Sequence, residues 1–428
     1  MKGLRALPPA LQLSFAIWFA ELLARVVFYL AAKDPWPALR FNLTMTGLGF
    51  AADVLGIIGM LELARRSTGR VRQGYLVVAA GMGLLLALMI GWELASLKHG
   101  FFEHRWVAEV NQYAYFAAST VLLCGAALAA SDRPALAIGT LAVGLLTWPP
   151  PFLAHHLYSW MPEGKVGLAF QYGLMTVREG LVLVAIASAA RGEAVPASGL
   201  AQQGFRTAAN SLWFRAIGTI TIALIIVMAM RAANGASILK FALVAGSLVT
   251  CLTLLQFGIG AARVGRAGLA ELSPYSATIA GAGSLWAAGV TFDQLGTVYR
   301  GFDDLGGSAL REAAESLALA LPLVVVASVA LLAIVIGGFA AHRRAEQLRL
   351  AAQSRGIVFV LLTLAAMAAQ RWVLADARTF SGFFLLSLII GMLGLVAMVK
   401  MAGLCNLAYE ELERDASIPT ATVVNDRA

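Results

Sequence analysis

The chain has 428 residues, of which 60% are hydrophobic and only 13% are charged. A soluble protein of this length needs more charge to cover its surface, so the composition excludes a soluble globular protein. Runs of about 20 apolar residues recur along the chain, each long enough to cross the roughly 30 Å hydrocarbon layer of a bilayer. Because these runs are continuously apolar rather than alternating, they predict membrane-spanning helices and exclude a transmembrane barrel.

The pattern therefore predicts an all-α polytopic membrane protein with twelve transmembrane helices. The first run is predicted to be a retained span, because it lacks a small-residue cleavage site and is interrupted by Glu21 and Arg25. The predicted spans are 10–32, 41–64, 74–96, 110–131, 135–158, 166–190, 210–230, 238–262, 274–293, 314–340, 356–375 and 380–405.

The net charge of +8 does not indicate a nucleic-acid partner, because the basic residues lie in short loops between spans, where positive charge sets topology. The second and tenth loops are the most basic and should both be cytoplasmic, which places both termini in the cytoplasm. The chain is expected in the plasma (inner) membrane. The basic residues of these two loops are Arg65, Arg66, Arg70, Arg72, Arg343, Arg344, Arg349 and Arg355.

The two halves of the sequence resemble each other at a shift of 200 residues. Between positions 75 and 87, six residues are identical to those at 275–287, and the pair Trp92-Glu93 corresponds to Phe292-Asp293. Repeats of six spans have the same orientation in the membrane, a plan found in many secondary transporters. We predict a first repeat at 1–192, a cytoplasmic linker at 193–209, a second repeat at 210–408 and a polar cytoplasmic tail at 409–428.

The stretch from Gly59 to Arg70 resembles, loosely, the basic motif between the second and third spans of the major facilitator superfamily. The leucine, a basic residue and the final Gly-Arg match, but Arg65 stands where that motif has aspartate. The fourth span lacks the expected arginine and glycine-rich stretch. The resemblance is therefore one of overall plan and implies no substrate.

Several ionisable residues fall halfway along predicted spans of the first half, where an unpaired charge costs about 2.5–3.5 kcal/mol on insertion scales. Glu21 lies in the first span, Asp53 in the second, and Arg178 and Glu179 in the sixth. Arg25 follows Glu21 by four residues, the spacing that favours an ion pair on a helix. We predict that these five residues bind a proton or substrate charge; the alternative is a set of interhelical ion pairs.

The second half differs at the corresponding positions. The counterpart of Asp53 is Thr253, and the polar candidates there are Gln256 and Arg371. An acidic site confined to one repeat suits proton or cation coupling, because a buried carboxylate can exchange a proton within a usable pH range.

The stretch TWPPPFLAHHLYSW, from Thr147 to Trp160, should break the fifth helix in the outer third of the membrane. Broken backbone at that depth is tolerated where it is buried in protein or lines water. Two interpretations remain, a gate or vestibule wall, or an early helix end with an interfacial cap. The gate would consist of Pro149, Pro150, Pro151, His155 and His156.

Metal binding by the outer histidines and carboxylates is a further alternative, but their spacing matches no metal motif, and no cofactor is expected. The three cysteines lie in apolar spans without a CxxC neighbour and are predicted to act as small hydrophobic residues. The segment 291–315 is predicted to be the longest outer loop.

Two functions from different classes follow. The first is a proton- or ion-coupled secondary transporter that moves an unidentified small solute between the two halves. The second is a non-transporting membrane subunit or sensor that binds a protein partner through its outer loops. No nucleophile–base pair is evident, so an enzyme is not expected. The expected partners are the lipid bilayer, the solute, and either another membrane protein or a second copy of the chain.

Overall fold

The computed structural model describes residues 7–31, 39–96, 105–147, 164–190, 198–229, 235–267, 269, 271–301, 308–376 and 380–417. Twelve helices and no strand occupy this part of the chain. They are α1 (Pro9–Ala31), α2 (Leu39–Arg66), α3 (Gly69–Ser96), α4 (Arg105–Ala129), α5 (Pro134–Thr147), α6 (Gly164–Ala189), α7 (Ser198–Ala229), α8 (Gly235–Arg266), α9 (Pro274–Gly301), α10 (Ser308–His342), α11 (Glu346–Asp376) and α12 (Phe380–Ser417).

Ten of these helices are long and apolar enough to cross a membrane, so the chain is a multi-pass helical membrane protein. The described part of α5 is too short to meet that criterion, and α9 does not meet it despite its 28 residues. Helix α9 is rich in Gly, Ala, Ser and Thr, and most of its described residues from 280 to 295 are buried among other helices. Its small residues allow neighbouring backbones to approach closely.

Several helices extend beyond the predicted spans. Helix α7 begins at Ser198, within the predicted linker, and α12 continues to Ser417, within the predicted tail. The predicted outer loop at 291–315 is largely helical, because α9 continues to Gly301 and α10 begins at Ser308. These helix ends contain charged and amide side chains, so the predicted spans do not include them. Apolar runs mark only the part of a helix that lies in hydrocarbon.

The helix contacts of the first half recur in the second. From α1 to α6 each helix packs against the next, α6 returns to α1, and α4 also contacts α6. From α7 to α12 each helix again packs against the next, α12 returns to α7, and α10 contacts α12. Each half has its own cluster of buried apolar side chains, and a third cluster lies between them.

The halves meet mainly where α9 packs against α2, with further contacts from α8 and α9 to α1. The backbones come close at Gly47 and Gly289, because a Cβ added at Gly289 would lie 3.1 Å from the Gly47 Cα. The indole of Trp286 donates a hydrogen bond to the Thr44 carbonyl at 3.2 Å. Close packing of this kind supplies the dispersion contacts that hold helices together in lipid.

Candidate functional site

A cavity of about 290 Å³ lies among α1, α2, α3, α4 and α6. Four of the five residues predicted to bind a proton or substrate charge line its wall. The lining residues are Trp18, Glu21, Leu22, Gly49, Asp53, Leu85, Met89, Tyr115, Ser119, Leu122, Met175, Arg178 and Glu179.

Glu21 and Arg25 form the ion pair that their spacing predicts. The Arg25 Nη2 lies 2.9 Å from the Glu21 Oε1, and the Arg25 Nε donates a hydrogen bond to the same oxygen at 3.0 Å. The guanidinium carbon also lies 5.5 Å from the centre of the Tyr172 ring, which stacks on Tyr29. The two tyrosines therefore hold Arg25 against Glu21 at the edge of the cavity.

Arg178 and Glu179 both line the cavity although they are neighbours in sequence. Neighbouring helical residues point about 100° apart, but the long Arg178 side chain folds back, and its Nε donates to the Glu179 Oε1 at 2.9 Å. Glu179 is only 5% exposed, and its Oε2 is buried without a hydrogen-bond partner in the described part of the chain. One carboxylate oxygen of this pair therefore has no hydrogen bond within the described part of the chain.

Asp53 faces the cavity without a basic partner. The Trp18 side chain and the carboxylates of Glu21 and Glu179 surround it, and no described lysine, arginine or histidine lies within ion-pair distance. With all groups ionised, three carboxylates meet two guanidiniums, those of Arg25 and Arg178, and one negative charge stays unmatched. A proton or a monovalent cation would balance it.

Gly49 gives the Glu21 carboxylate its room. A Cβ added at Gly49 would lie 3.2 Å from the Glu21 Oε2, closer than ordinary van der Waals contact. Sequence reasoning did not identify Gly49, nor the cavity residues Trp18, Tyr115 and Ser119. The signal for Trp18 was available, since it lies three residues before Glu21 and therefore on the same helix face.

The cavity lies inside the first six helices, whereas sequence analysis placed the solute path between the two halves. The described surfaces of α2 and α9 pack closely instead. A larger groove, of about 570 Å³, lies between α10 and α11, but the exposed apolar residues Ile334, Ile357 and Leu361 line it. A groove with exposed apolar walls suits the acyl chains of lipids better than a polar solute.

A second buried charged group, which sequence analysis missed, joins the halves where α2 and α8 end. Glu62 pairs with Arg66 in its own helix, and its Oε2 lies 3.2 Å from the Arg266 Nε in α8. Glu62 is 3% exposed and Arg266 is 8% exposed. The signal was present, because Arg66 and Arg266 are counterparts in the predicted repeat and Glu62 precedes Arg66 by four residues.

The predicted gate falls outside the described residues. Helix α5 ends at Thr147, two residues before Pro149, and Pro150, Pro151, His155 and His156 are likewise not described. Within the described ranges no group of three or more His, Cys, Asp or Glu residues is placed to hold a metal ion.

Comparison with known proteins adds no relative. No protein-family model, no curated protein and no solved structure matches the chain.

Proposed function

We propose that the protein is a secondary transporter that couples movement of a small solute to a proton or monovalent cation bound in the cavity of the first six helices. The observation that carries the proposal is the unmatched negative charge at Asp53. A carboxylate that lies within a membrane span and lacks a basic partner is costly and is retained mainly at ion pathways and proton relays.

The surrounding residues support this role. The Glu179 Oε2 without a partner and the Ser119 hydroxyl add oxygen ligands beside Asp53. Glu21 and Arg178 are each already paired, so they set the local field without neutralising the site. Such an arrangement exchanges one positive charge at a time, which is what coupling requires.

The repeated helix contacts support two six-helix repeats of the same orientation, a plan that many carriers share. In that plan the acidic cavity belongs to one repeat, and the other repeat is free to recognise the solute. The proposal includes cytoplasmic termini, which the basic second and tenth loops support. It also places the protein in the plasma (inner) membrane.

The test uses purified protein in liposomes that contain a pH-sensitive dye, with a panel of small solutes added outside. We expect at least one solute to drive proton movement in the wild type, and Asp53→Asn to abolish that movement. Asp132→Asn is the matched control, because it makes the same change at an exposed residue between α4 and α5. Solute-driven proton movement at the wild-type rate in Asp53→Asn would exclude the proposal; a parallel assay with labelled Na⁺ distinguishes the two ions.

The alternative is a non-transporting membrane subunit or sensor. The observation that favours it is the close packing of α2 on α9, since halves that pack through Gly47 and Gly289 resist separation. It predicts that no solute in the panel drives ion movement, although the reconstituted protein is folded and binds a protein partner in fixed stoichiometry.

A further inference from the structure

A second cavity, of about 190 Å³, lies in the second half of the chain among α7, α8, α10, α11 and α12. Four of these helices are the counterparts, six helices on, of helices that line the acidic cavity. Thr253, the counterpart of Asp53, lies in its wall. The lining residues are Leu212, Arg215, Thr250, Thr253, Leu254, Phe257, Leu321, Pro322, Val325, Val329, Phe359, Thr363, Gly394 and Met398.

Arg215 is the charged residue of this wall. It lies near the middle of the apolar span Gly199–Ile225, and its Nη1 is buried without a hydrogen-bond partner. None of the ion pairs between described residues includes Arg215. A guanidinium in such a place requires an anion to offset its desolvation.

The threonines of the wall do not replace that anion. The hydroxyls of Thr250, Thr253 and Thr363 each donate to a carbonyl of their own helix at 2.7–2.8 Å. Arg215 therefore supplies the free hydrogen-bond donors among the described lining residues, and the rest of the wall is mostly apolar. A ligand that fits carries one acidic group and an apolar body.

The shape of α10 helps to create the space. Pro322 lies inside this helix and lines the cavity, and a proline within a helix removes one backbone hydrogen bond and bends the chain. The volume is below the roughly 300–1,000 Å³ of sites for drug-sized ligands, so the ligand is small. It is also larger and more apolar than a halide site requires.

We infer that the Arg215 cavity is a binding site for a small apolar monocarboxylate, held by its carboxylate on Arg215 and by its hydrocarbon part on the surrounding side chains. The bidentate fit of guanidinium to carboxylate gives the site its selectivity for that group. The inference goes beyond the proposed transport function and does not depend on it, because binding is measurable without transport.

The experiment is equilibrium binding of labelled benzoate to purified full-length protein in nanodiscs, compared with Arg215→Met. We expect saturable binding to the wild type and binding weakened by about 10- to 100-fold in the variant, the factor for loss of a charged hydrogen-bonded contact. Arg206→Met is the matched control, since it removes an exposed arginine from the same helix. Benzyl alcohol, which lacks the charge, should not compete.

A stability measurement separates a ligand site from a structural arginine. Because Arg215 has no described partner, Arg215→Met should raise the thermal midpoint of the ligand-free protein or leave it unchanged. A fall in that midpoint would overturn the inference, as it would show that the guanidinium stabilises the fold. Wild-type benzoate affinity in Arg215→Met, or displacement of benzoate by equimolar chloride, would overturn it as well.

Discussion

The two cavities occupy corresponding places in the two halves and have opposite charge. The first contains three carboxylates and one unmatched negative charge, and the second contains an arginine without a described anion. Asp53 of α2 lines the first cavity, and Thr253 of α8, its counterpart in the predicted repeat, lines the second. The two cavities therefore differ in charge because a few of their lining side chains differ.

The packing near the two cavities also differs between the halves. In the first half Gly49 on α2 leaves space for Glu21 on α1, whereas in the second half Val249 on α8 fills the space beside Gly218 on α7. The glycine of this helix pair is on α2 in the first half and on α7 in the second. Where the first half needs room for a carboxylate, the second closes the helix pair with a methyl group.

The largest effect is expected where the halves are joined. Glu62→Gln leaves Arg66 and Arg266 without their carboxylate, so we expect the free energy of unfolding to fall by about 3 kcal/mol, the low end for a broken buried pair. The low end applies because the Arg66 side chain is 20% exposed. Thermal unfolding in detergent measures the loss.

The control for this prediction is Glu271→Gln, which removes the carboxylate that pairs with Arg343 inside the second half, where the Glu271 side chain is 27% exposed. We expect a loss of about 0–1 kcal/mol there. Equal losses of stability in the two variants would show that the ion pairs of Glu62 stabilise the fold no more than the Glu271–Arg343 pair does.

Substitutions at Gly49 test the difference in packing between Gly49 and Val249. Gly49→Val places a methyl group against the Glu21 carboxylate, and we expect a loss of about 1–3 kcal/mol in stability, as for other overpacked sites. Gly49→Ala should cost less, because its Cβ meets an oxygen that a small side-chain shift can move. Gly83→Val is a suitable control, since nothing lies within 4 Å of an added Cβ there.

A carboxylate introduced into the wall of the second cavity would neutralise its positive charge. Thr253→Asp places a carboxylate in the wall that contains Arg215. We expect benzoate affinity to fall by about tenfold, equivalent to 1.4 kcal/mol, because the new anion competes for the guanidinium. Thr253→Asn, which has the same shape without the charge, should retain binding. Equal affinity in the Asp and Asn variants would contradict the charge argument.

The smallest effect is expected at the edge of the acidic cavity. Tyr172→Leu removes the ring that lies 5.5 Å from Arg25 but keeps the Glu21–Arg25 ion pair. We expect a loss of about 0.5–1 kcal/mol, the usual size of a cation–π contact that is not fully desolvated. Phe170→Leu, an exposed aromatic on the same helix, is the control; a change there as large as at Tyr172 would argue against a specific contact with Arg25.

The amino-acid sequence alone determined that this is a helical membrane protein. In a bilayer a long apolar run must be helical, because a helix hydrogen-bonds its own backbone N–H and C=O groups. It also predicted the Glu21–Arg25 contact, since spacing along a helix fixes that neighbour. Orientation in the membrane and the repeat remain predictions from charge and residue identity.

Tertiary structure decided the rest. One cavity brings together Glu21, Asp53, Arg178 and Glu179. This grouping depends on how α1, α2 and α6 are rotated about their axes, which the contacts between helices decide and the sequence of a single helix does not. For the same reason the sequence shows only the pair of Glu62 with Arg66, and the tertiary structure adds Arg266. Arg215 became a candidate site because no described anion lies beside it in the structure.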